Sequence, residues 1–369
     1  MMMPVPSFRQ AILLGLAFTQ VASSSHVSND LLRLAGTHVV YSYAGLTPPD
    51  QLFDLVRLGQ VGGIILFADN ISNQTGTAAT IQALQDANKE SPNYDGLPLL
   101  VMTDQEGGEV RRVKFNGGGP VLSAKQMGAA PDPVNASTTG GMQVDTTLLP
   151  IGINHNLAPV LDVYRQPGDF EDYFQRSFGN TSALVSECIK PFISAMQAGG
   201  VVGTAKHFPG LGAASHQQDT DVAPVTLNLT LDELRSVDEA PYTAAIQAGV
   251  KMVMTSWALY PALDAEYPSG LSSKWVQGEL RGRLGFAGVT ITDALEAGAL
   301  ESFGDVPTRA LLAAKAGMDL ILCSQRNTTQ GLVATQTLAR ALGCGKLNRA
   351  EFDAGTERIK AVRKWMATA

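Results

Sequence analysis

Lysine and histidine occupy the adjacent positions 206 and 207, at the end of an apolar run that begins at Val201. One proline and two glycines follow within the next five residues and indicate a turn. The pattern predicts a buried strand that carries Lys206 and His207 to its end. Polar side chains at such a place are costly unless polar groups meet them. The pair belongs either to a salt-bridged strand end or to a ligand site, and the other strand ends favour a ligand site.

Polar and aromatic side chains follow the other apolar runs of the chain in the same way. These candidates are Asp104, Glu106, Arg112, Asp162, Arg176, Trp257 and Asp293. If the ends of the runs converge, carboxylates, cations, a histidine and a tryptophan share one surface. Such a set suits a polyhydroxylated ligand, because charged groups bind hydroxyls and an aromatic ring packs against a sugar. The residues therefore predict a carbohydrate as the binding partner.

The elements that would position these residues alternate regularly along the chain. Eight short apolar runs cover residues 37–43, 62–68, 98–103, 155–163, 201–206, 250–256, 289–292 and 318–323. Helical patterns between and after them cover residues 78–89, 182–198, 231–248, 274–284, 307–316 and 352–366. Eight buried strands alternating with helices predict an α/β fold, a single-domain (β/α)8 TIM barrel whose carboxyl strand ends converge on one face. A doubly wound open sheet is the alternative, but the glycine-rich turn it needs after its first strand is absent.

The composition agrees with one large folded domain and excludes several classes of partner. The chain has 369 residues, of which 45% are apolar and 17% charged, as expected for a protein with a large buried core. Its net charge of −7 argues against a nucleic-acid partner. No stretch reaches the roughly 18 uninterrupted apolar residues that a membrane span requires.

The amino-terminal residues differ from the rest of the chain. Arg9 precedes an apolar stretch at residues 11–18, and small residues occupy positions 21–25. This order predicts a secretory signal peptide at residues 1–22 and a mature barrel domain at residues 23–369. Asn-x-Ser/Thr acceptors for glycans support export and occur at Asn70, Asn73, Asn135, Asn180, Asn228 and Asn327. We therefore expect a secreted, extracellular glycoprotein.

The three cysteines fit no zinc motif, because no CxxC or HxxxH spacing is present. In an oxidising compartment one pair could form a disulfide, and Cys323 with Cys344 is our hypothesis for that pair. Cys188 would then be a buried apolar residue. No metal ion or organic cofactor is implied, and the sequence does not predict the oligomeric state.

Several of these motifs together resemble a known family. They read Thr103-Asp104-Gln105-Glu106-Gly107-Gly108, Asn156-Leu157-Ala158-Pro159-Val160-Leu161-Asp162, Arg176-Ser177-Phe178, Lys206-His207-Phe208-Pro209-Gly210 and Ile291-Thr292-Asp293-Ala294-Leu295. The order and content resemble glycoside hydrolase family 3, in its single-domain β-N-acetylglucosaminidase-like branch, from about Gly62 to the end of the chain. The resemblance implies a retaining β-glycosidase that removes terminal sugars. N-acetylglucosaminides are the favoured substrates, and glucosides or xylosides are the alternatives.

The resemblance also implies roles for single residues. Asp293 matches the nucleophile that attacks the anomeric carbon, and Asp104, Arg112, Arg176, Lys206 and His207 match residues that hold the sugar hydroxyls. Cations beside Asp293, such as Lys206 and Arg176, should lower its pKa and keep it ionised. We interpret Asp162 as structural, and Glu106 as either a brace for its loop or a ligand contact.

The proton donor is the one place where the sequence departs from the family pattern. Relatives without a second domain carry a histidine in an Asp-Ser-His triplet after the fifth strand, but this chain has Asp219-Thr220-Asp221 there. His216 lies a few residues earlier. A histidine titrates near neutral pH, whereas an aspartate needs burial or a neighbouring anion to do so. The sequence favours His216 with Asp219 as its partner over Asp221 acting alone.

Two other functions remain open at this point. Lys206 could form a Schiff base in a class I aldolase-like barrel. Alternatively, the altered loop could belong to a barrel that binds sugars but turns them over weakly.

Overall fold

The fold is a ring of eight parallel strands surrounded by helices, seen in a computed structural model that describes residues 27–368. The strands are β1 (Val39–Tyr41), β2 (Gly63–Ile65), β3 (Leu100–Thr103), β4 (Gln105–Gly107), β5 (Val110–Arg111), β6 (His155–Asn156), β7 (Val202–Phe208), β8 (Met252–Thr255), β9 (Val289–Ile291) and β10 (Ile321–Leu322). The barrel order is β10-β1-β2-β3-β6-β7-β8-β9. A parallel bridge between Ile291 and Leu320 joins the last strand to the first, which closes the ring. The predicted TIM barrel is confirmed, and the predicted signal peptide lies outside the described residues.

Helices and helical turns cover the outside of the barrel. The α-helices are α1 (Asn29–Gly36), α2 (Asp50–Arg57), α3 (Gln74–Lys89), α4 (Ala124–Gly128), α5 (Pro133–Leu148), α6 (Phe170–Tyr173), α7 (Ser182–Ala198), α8 (Leu231–Glu233), α9 (Ala240–Gln247), α10 (Val306–Ala316), α11 (Thr328–Gly343) and α12 (Arg349–Thr368). Two π-helical segments, Leu234–Asp238 and Lys274–Arg283, replace parts of the predicted helices at 231–248 and 274–284. None of the helices within residues 27–368 combines the length and apolarity that crossing a bilayer would require.

The strands are apolar on both faces because two separate cores need them. Val40, Leu100 and Met252 point into the barrel, where they pack in one buried cluster. Val39 and Tyr41, the neighbours of Val40, belong to a larger cluster between the barrel and its helices. Each fully buried large apolar side chain contributes about 1.5–3 kcal/mol to stability. Burial on both faces explains why the strands appear in the sequence as continuous apolar runs without alternation.

The amino-terminal end of the barrel is closed by an ion-pair network around Asp319. Its two carboxylate oxygens lie 2.7 Å from the guanidinium groups of Arg281 and Arg358. His38 lies beside them, with Nδ1 2.7 Å from the Asp319 carbonyl and Nε2 2.8 Å from the Thr356 hydroxyl. Because these charges and ring nitrogens are already paired, we interpret this end as structural.

Each of the eight predicted runs overlaps a barrel strand; seven strands are shorter than their runs, whereas β7 extends two residues beyond the run at 201–206. The run at 155–163 pairs regularly only at β6, because Pro159 has no N–H for the ladder. Beyond it, Val160 makes a single bridge to Lys206. The antiparallel hairpin of β4 and β5 was not predicted from the sequence. It is held by the buried Gln105 side chain, whose Nε2 donates to the carbonyls of Val113 and Gly119.

The hypothesis of a disulfide between Cys323 and Cys344 is wrong, since all three cysteines are free thiols. Cys323 is fully buried next to the last barrel strand, whereas Cys344 is exposed after α11. Cys188 is buried among apolar side chains, as expected.

Candidate active site

A cavity of about 370 Å³ opens at the carboxyl end of the barrel. Its polar and charged lining residues are Asp104, Arg112, Lys206, His207, Asp221, Asp293, Glu296, Ser324 and Arg326. Apolar side chains, including Ile65, Leu157 and Met254, complete the lining. The strand ends therefore converge as the barrel predicts, and they bring most of the candidate residues into one site.

Lys206 lies between two carboxylates on one wall of the cavity. Its Nζ is 3.0 Å from Asp104 Oδ1 and 2.7 Å from Glu106 Oε1. Burial opposes its positive charge, but the negative charges of Glu106 and Asp104 outweigh burial and raise the pKa of Lys206. Arg112 approaches the other oxygen of Asp104 at 3.4 Å. This wall therefore presents fixed donors and acceptors, with Lys206 permanently protonated.

His207 is held in a neutral state beside this wall. Its Nδ1 lies 2.7 Å from Asp162 Oδ2, and Asp162 Oδ1 also accepts a hydrogen bond from the Leu211 backbone N–H at 2.6 Å. Burial, helped by the charge of Arg176, lowers the pKa of His207 to about 4. We assign the Nδ1 proton to the bond with Asp162, which leaves Nε2 as an acceptor. The interpretation of Asp162 as structural agrees with this geometry, since the residue is fully buried.

Arg176 lies behind the cavity wall, and it is not among the residues that line the cavity. Its guanidinium makes two hydrogen bonds to Glu106, at 2.8 and 2.9 Å, and one to Glu171 at 3.1 Å. Nη2 is also 3.5 Å from His207 Nε2. Arg176 therefore braces the cavity wall, and Glu106 joins it to Lys206. The predicted role of Arg176 as a sugar contact stays a prediction.

Asp162, Glu171 and His207 offer three potential metal-ligand atoms within 4.8 Å of one another. Two of these groups already hydrogen-bond each other, and the third contacts the Arg176 guanidinium. A fixed positive charge at that distance opposes the binding of a cation. The donor set therefore fits an internal hydrogen-bond network better than a metal site.

Asp293 follows β9 and reaches the cavity as a half-buried carboxylate. Its Oδ1 accepts a hydrogen bond from the Ala294 backbone N–H at 2.7 Å. Burial raises the pKa of Asp293 to about 6; interaction with His207 opposes the rise, and the negative charge of Asp221 adds to it. The expectation that nearby cations lower this pKa is therefore wrong, because desolvation outweighs the attraction to Lys206.

The loop after β7 brings Asp221, and not His216, into the cavity. Asp221 is exposed as a residue, but partial desolvation of its carboxylate, followed by the negative charge of Asp219, raises the pKa of Asp221. Asp219 Oδ1 accepts the Asp221 backbone N–H at 2.9 Å and so fixes the turn. His216 is exposed outside the cavity and packs against the ring of Tyr173, with the ring centroids 3.9 Å apart. The structure thus places the less favoured sequence candidate in the same cavity as the nucleophile candidate.

Backbone hydrogen bonds fasten this loop to the segment that follows Asp293. The N–H of Gly298 donates to the Asp221 carbonyl at 2.8 Å, and the N–H of Ala299 donates to the Thr220 carbonyl at 3.1 Å. A Cβ atom at Gly298 would lie only 2.1 Å from the Val222 carbonyl oxygen. Only glycine allows the two segments to approach so closely.

Trp257 does not lie at the cavity surface, which corrects its predicted role in binding the sugar face. Its ring is 1% exposed and belongs to the core between barrel and helices. The indole Nε1 donates to the Ala294 carbonyl at 2.8 Å. Trp257 is therefore packed behind the backbone that follows Asp293, because a large apolar ring is more stable in the core than in a polar cavity.

Among the polar and aromatic lining residues, four were not predicted from the sequence: Phe67, Glu296, Ser324 and Arg326. Phe67 and Ser324 follow β2 and β10, whose ends carry no cluster of charged residues. Glu296 is fixed by hydrogen bonds from the Ser324 hydroxyl at 2.7 Å and from Gln330 Nε2 at 2.9 Å. The Arg326 guanidinium lies over the Phe67 ring, 4.7 Å from its centroid. The fold itself could have identified them, because the residues that follow every strand of a TIM barrel lie on the face that carries the active site.

Comparisons of sequence place the chain among glycoside hydrolases. The profile of the glycosyl hydrolase family 3 N terminal domain matches residues 34–362. An uncharacterized secreted glycosyl hydrolase of Arthroderma benhamiae is 48% identical over 348 residues, covering 94% of this chain and 97% of the relative. A beta-hexosaminidase of Xanthomonas oryzae pv. oryzae is 30% identical over 326 residues, covering 85% and 94%.

Solved structures of similar proteins agree with the sequence comparisons. The β-N-acetylhexosaminidase of Beutenbergia cavernae superposes with a TM-score of 0.82 at 31% identity, covering 92% of this chain and all of that protein. A glycoside hydrolase family 3 β-N-acetylglucosaminidase from a Paenibacillus species gives a TM-score of 0.84 at 34% identity over 91% of this chain. The chain spans 62% of that longer protein. Fold, site and relatives together show that the chain belongs to glycosyl hydrolase family 3 and is a glycoside hydrolase.

Proposed function

We propose that the protein is a secreted retaining β-glycosidase that releases terminal N-acetylglucosamine, with Asp293 as nucleophile and Asp221 as proton donor. The observation that carries this proposal is that both carboxylates line one cavity and both have raised pKa values. Two carboxylates that share one cavity and one proton can divide the two roles, the ionised one attacking carbon and the protonated one donating to the leaving group. The names of the relatives support N-acetylglucosamine as the terminal sugar.

The chemistry follows in two balanced steps. Asp293 attacks the anomeric carbon while Asp221 gives its proton to the glycosidic oxygen, so the C–O bond breaks and the leaving group departs as an alcohol. A water molecule then gives a proton to Asp221 and attacks the same carbon, which releases Asp293 and the sugar. Asp104, Arg112, Lys206 and His207 would bind the ring hydroxyls with donors and acceptors that need no reorientation.

The aldolase-like alternative conflicts with the state of Lys206. A lysine must lose its proton before it can attack a carbonyl. Here Asp104 and Glu106 contact the ammonium group directly, and the pKa of Lys206 is raised, not lowered. Borohydride treatment with a carbonyl substrate should therefore leave Lys206 unmodified.

Turnover of aryl β-glycosides tests the proposed function directly. N-acetylglucosaminide, glucoside and xyloside substrates with the same aryl group should be compared at equal concentration. We expect the N-acetylglucosaminide to give the highest kcat/KM, with release of the β-anomer first. Binding of the sugars without turnover of any of the three would instead indicate a sugar-binding barrel.

The Lys206→Ala variant should lose sugar binding that tightens in the transition state. Removing a charged donor from a desolvated site costs about 2–4 kcal/mol, which corresponds to a roughly 30- to 900-fold loss in kcat/KM. The loss should be equal for aryl groups that leave well and aryl groups that leave poorly. Unequal losses would instead assign Lys206 to proton transfer.

Arg176→Ala is the informative comparison, because Arg176 braces the site without lining the cavity. Its removal leaves the buried Glu171 without its cation and leaves Glu106 with Lys206 alone. Breaking a buried pair in this way costs about 3–5 kcal/mol of stability. We therefore expect a clearly lower Tm for Arg176→Ala, accompanied by lower activity from a misplaced His207.

Glycan mapping tests the proposed secretion. Asn228 and Asn180 are exposed and make no side-chain hydrogen bonds among the described residues. Asn70 is 3% exposed, and its Nδ2 donates to the carbonyls of Tyr43 and Gly45. In protein secreted by a eukaryotic host, enzymatic deglycosylation in heavy-oxygen water followed by mass spectrometry should mark Asn180 and Asn228 and leave Asn70 unmarked. Absence of any glycan would contradict passage through the secretory pathway.

A further inference from the structure

Three aromatic side chains form an exposed group on the same face as the cavity: Tyr173, Phe174 and His216, named here the aromatic platform. Tyr173 and Phe174 remain 58% and 45% exposed, and His216 is exposed as well. The ring centroids of Tyr173 and His216 are 3.9 Å apart, and those of Phe174 and His216 are 5.8 Å apart. Large rings left open to water in such a cluster indicate a surface that binds something.

The platform is connected to the active site on both sides along the chain. Phe174 lies two residues before Arg176, whose guanidinium reaches His207. His216 lies five residues before Asp221 on the loop after β7, named here the donor loop. Extended chain spans at most about 3.6 Å per residue, so these Cα separations cannot exceed roughly 7 and 18 Å. A ligand that fills the cavity and continues outward is long enough to reach the platform if it is an oligosaccharide.

The platform is also held in place before any ligand arrives. Its short helix α6 is tied to the donor loop by the hydrogen bond from the Phe170 N–H to the Ala214 carbonyl, at 2.9 Å. The Phe170 ring supports Phe174 from below, with a centroid distance of 5.0 Å. Lys125 and Asp172 form an ion pair of 2.7 Å at the same helix. Rings that are already ordered lose little conformational entropy on binding.

The position of the platform beside the proposed proton donor indicates which part of the substrate the platform binds. The proton donor must touch the oxygen of the leaving group, and the platform is built partly from the donor's own loop. Sugar rings carry apolar C–H faces that pack against aromatic rings, as is common in binding sites for neutral ligands. We propose that the aromatic platform binds sugar units on the leaving-group side of a β-linked oligosaccharide. This inference rests on the proposed function, and it gives His216 a role in substrate binding.

Chain-length dependence tests the platform. The variants Tyr173→Ala and Tyr173→Phe are compared with the wild type on aryl β-N-acetylglucosaminide and on β-1,4-linked N-acetylglucosamine oligomers of two to five units. We expect Tyr173→Ala to lower kcat/KM about three- to tenfold on the longer oligomers, from the loss of one aromatic contact. Activity on the aryl substrate should be unchanged, and Tyr173→Phe should behave as the wild type. Equal losses on all substrates, or none on any, would overturn the proposal.

A matched control and a second readout separate this inference from the proposed function. Met142 on α5 is 57% exposed and lies outside the cavity lining, so Met142→Ala removes a comparable exposed apolar group. It should show no dependence on chain length.

Calorimetry with the inactive Asp293→Asn variant measures binding of the pentamer, and adding Tyr173→Ala should weaken this binding by a similar factor. If no variant hydrolyses any glycoside but the pentamer still binds through Tyr173, the proposed function fails and the platform stands. Binding that is unchanged by Tyr173→Ala would overturn the platform alone.

Discussion

Asp293→Asn is expected to abolish turnover while the protein stays folded. The amide has nearly the same shape as the carboxylate but cannot form the glycosyl-enzyme, so the loss should reach several orders of magnitude in kcat. Initial rates on an aryl β-N-acetylglucosaminide measure the loss, and circular dichroism and Tm report folding. The Tm should be equal or higher, because the Asp293 carboxylate is desolvated and an uncharged group removes that cost.

The control for this substitution is Asp50→Asn, at an exposed carboxylate in the first turn of α2. It should leave the rate unchanged within experimental error. A mechanism-based fluorosugar should label Asp293 and no other residue of the wild type. Retention of more than about a tenth of wild-type activity, an effect below about 1.4 kcal/mol, would contradict the assignment of the nucleophile.

Asp221→Ala is the second substitution with a large expected effect, and its size should depend on the leaving group. Loss of a general acid costs about 10²- to 10⁴-fold when the leaving oxygen needs a proton. Substrates with acidic phenols need little protonation and should lose far less. Azide should restore activity, since it attacks the glycosyl-enzyme without a general base. His216→Ala should show neither behaviour, and the reverse result would make His216 the proton donor.

The pH profile gives an independent measure of the same pair. In the wild type, kcat/KM should fall as the pH drops below about 6, because Asp293 becomes protonated. It should fall again at higher pH as the coupled pair loses its second proton, which Asp221 has to hold in the productive state. The two limbs belong to the coupled pair and not to either residue alone. In Asp221→Asn the alkaline limb should disappear, and the acidic limb should move to lower pH because a nearby negative charge is gone.

The barrel could be predicted because its strands are buried on both faces. Continuous apolar runs such as residues 98–103 differ clearly from the helical patterns around them. The end of each run also locates the residues that follow it, which explains why Asp104, Lys206, His207 and Asp293 were found. The end of a run does not show whether a side chain points into the cavity or into the core between the barrel and the helices. Trp257 was therefore assigned to the cavity, although its size and apolarity direct it into the core.

The pKa of Asp293 and the conformation of the donor loop could not be predicted from the sequence, for two different reasons. Counting cations near Asp293 predicts a lowered pKa, but the cost of burying the carboxylate depends on how closely the surrounding residues pack. The conformation of the donor loop depends on hydrogen bonds between segments that are distant in the chain, such as Gly298 with Asp221. Intrinsic titration behaviour favours His216, and only the folded loop shows that Asp221 reaches the cavity.

The backbone bonds between the donor loop and the segment after Asp293 have a consequence for how this site can diversify. The position of the Asp221 backbone relative to the segment after Asp293 is specified by main-chain atoms and by the absence of a side chain at Gly298. It does not depend on the chemical identity of the residue at position 221. An imidazole or a carboxylate can therefore occupy that position while Asp293 stays where it is, so the proposed proton donor can be exchanged by a change at a single codon.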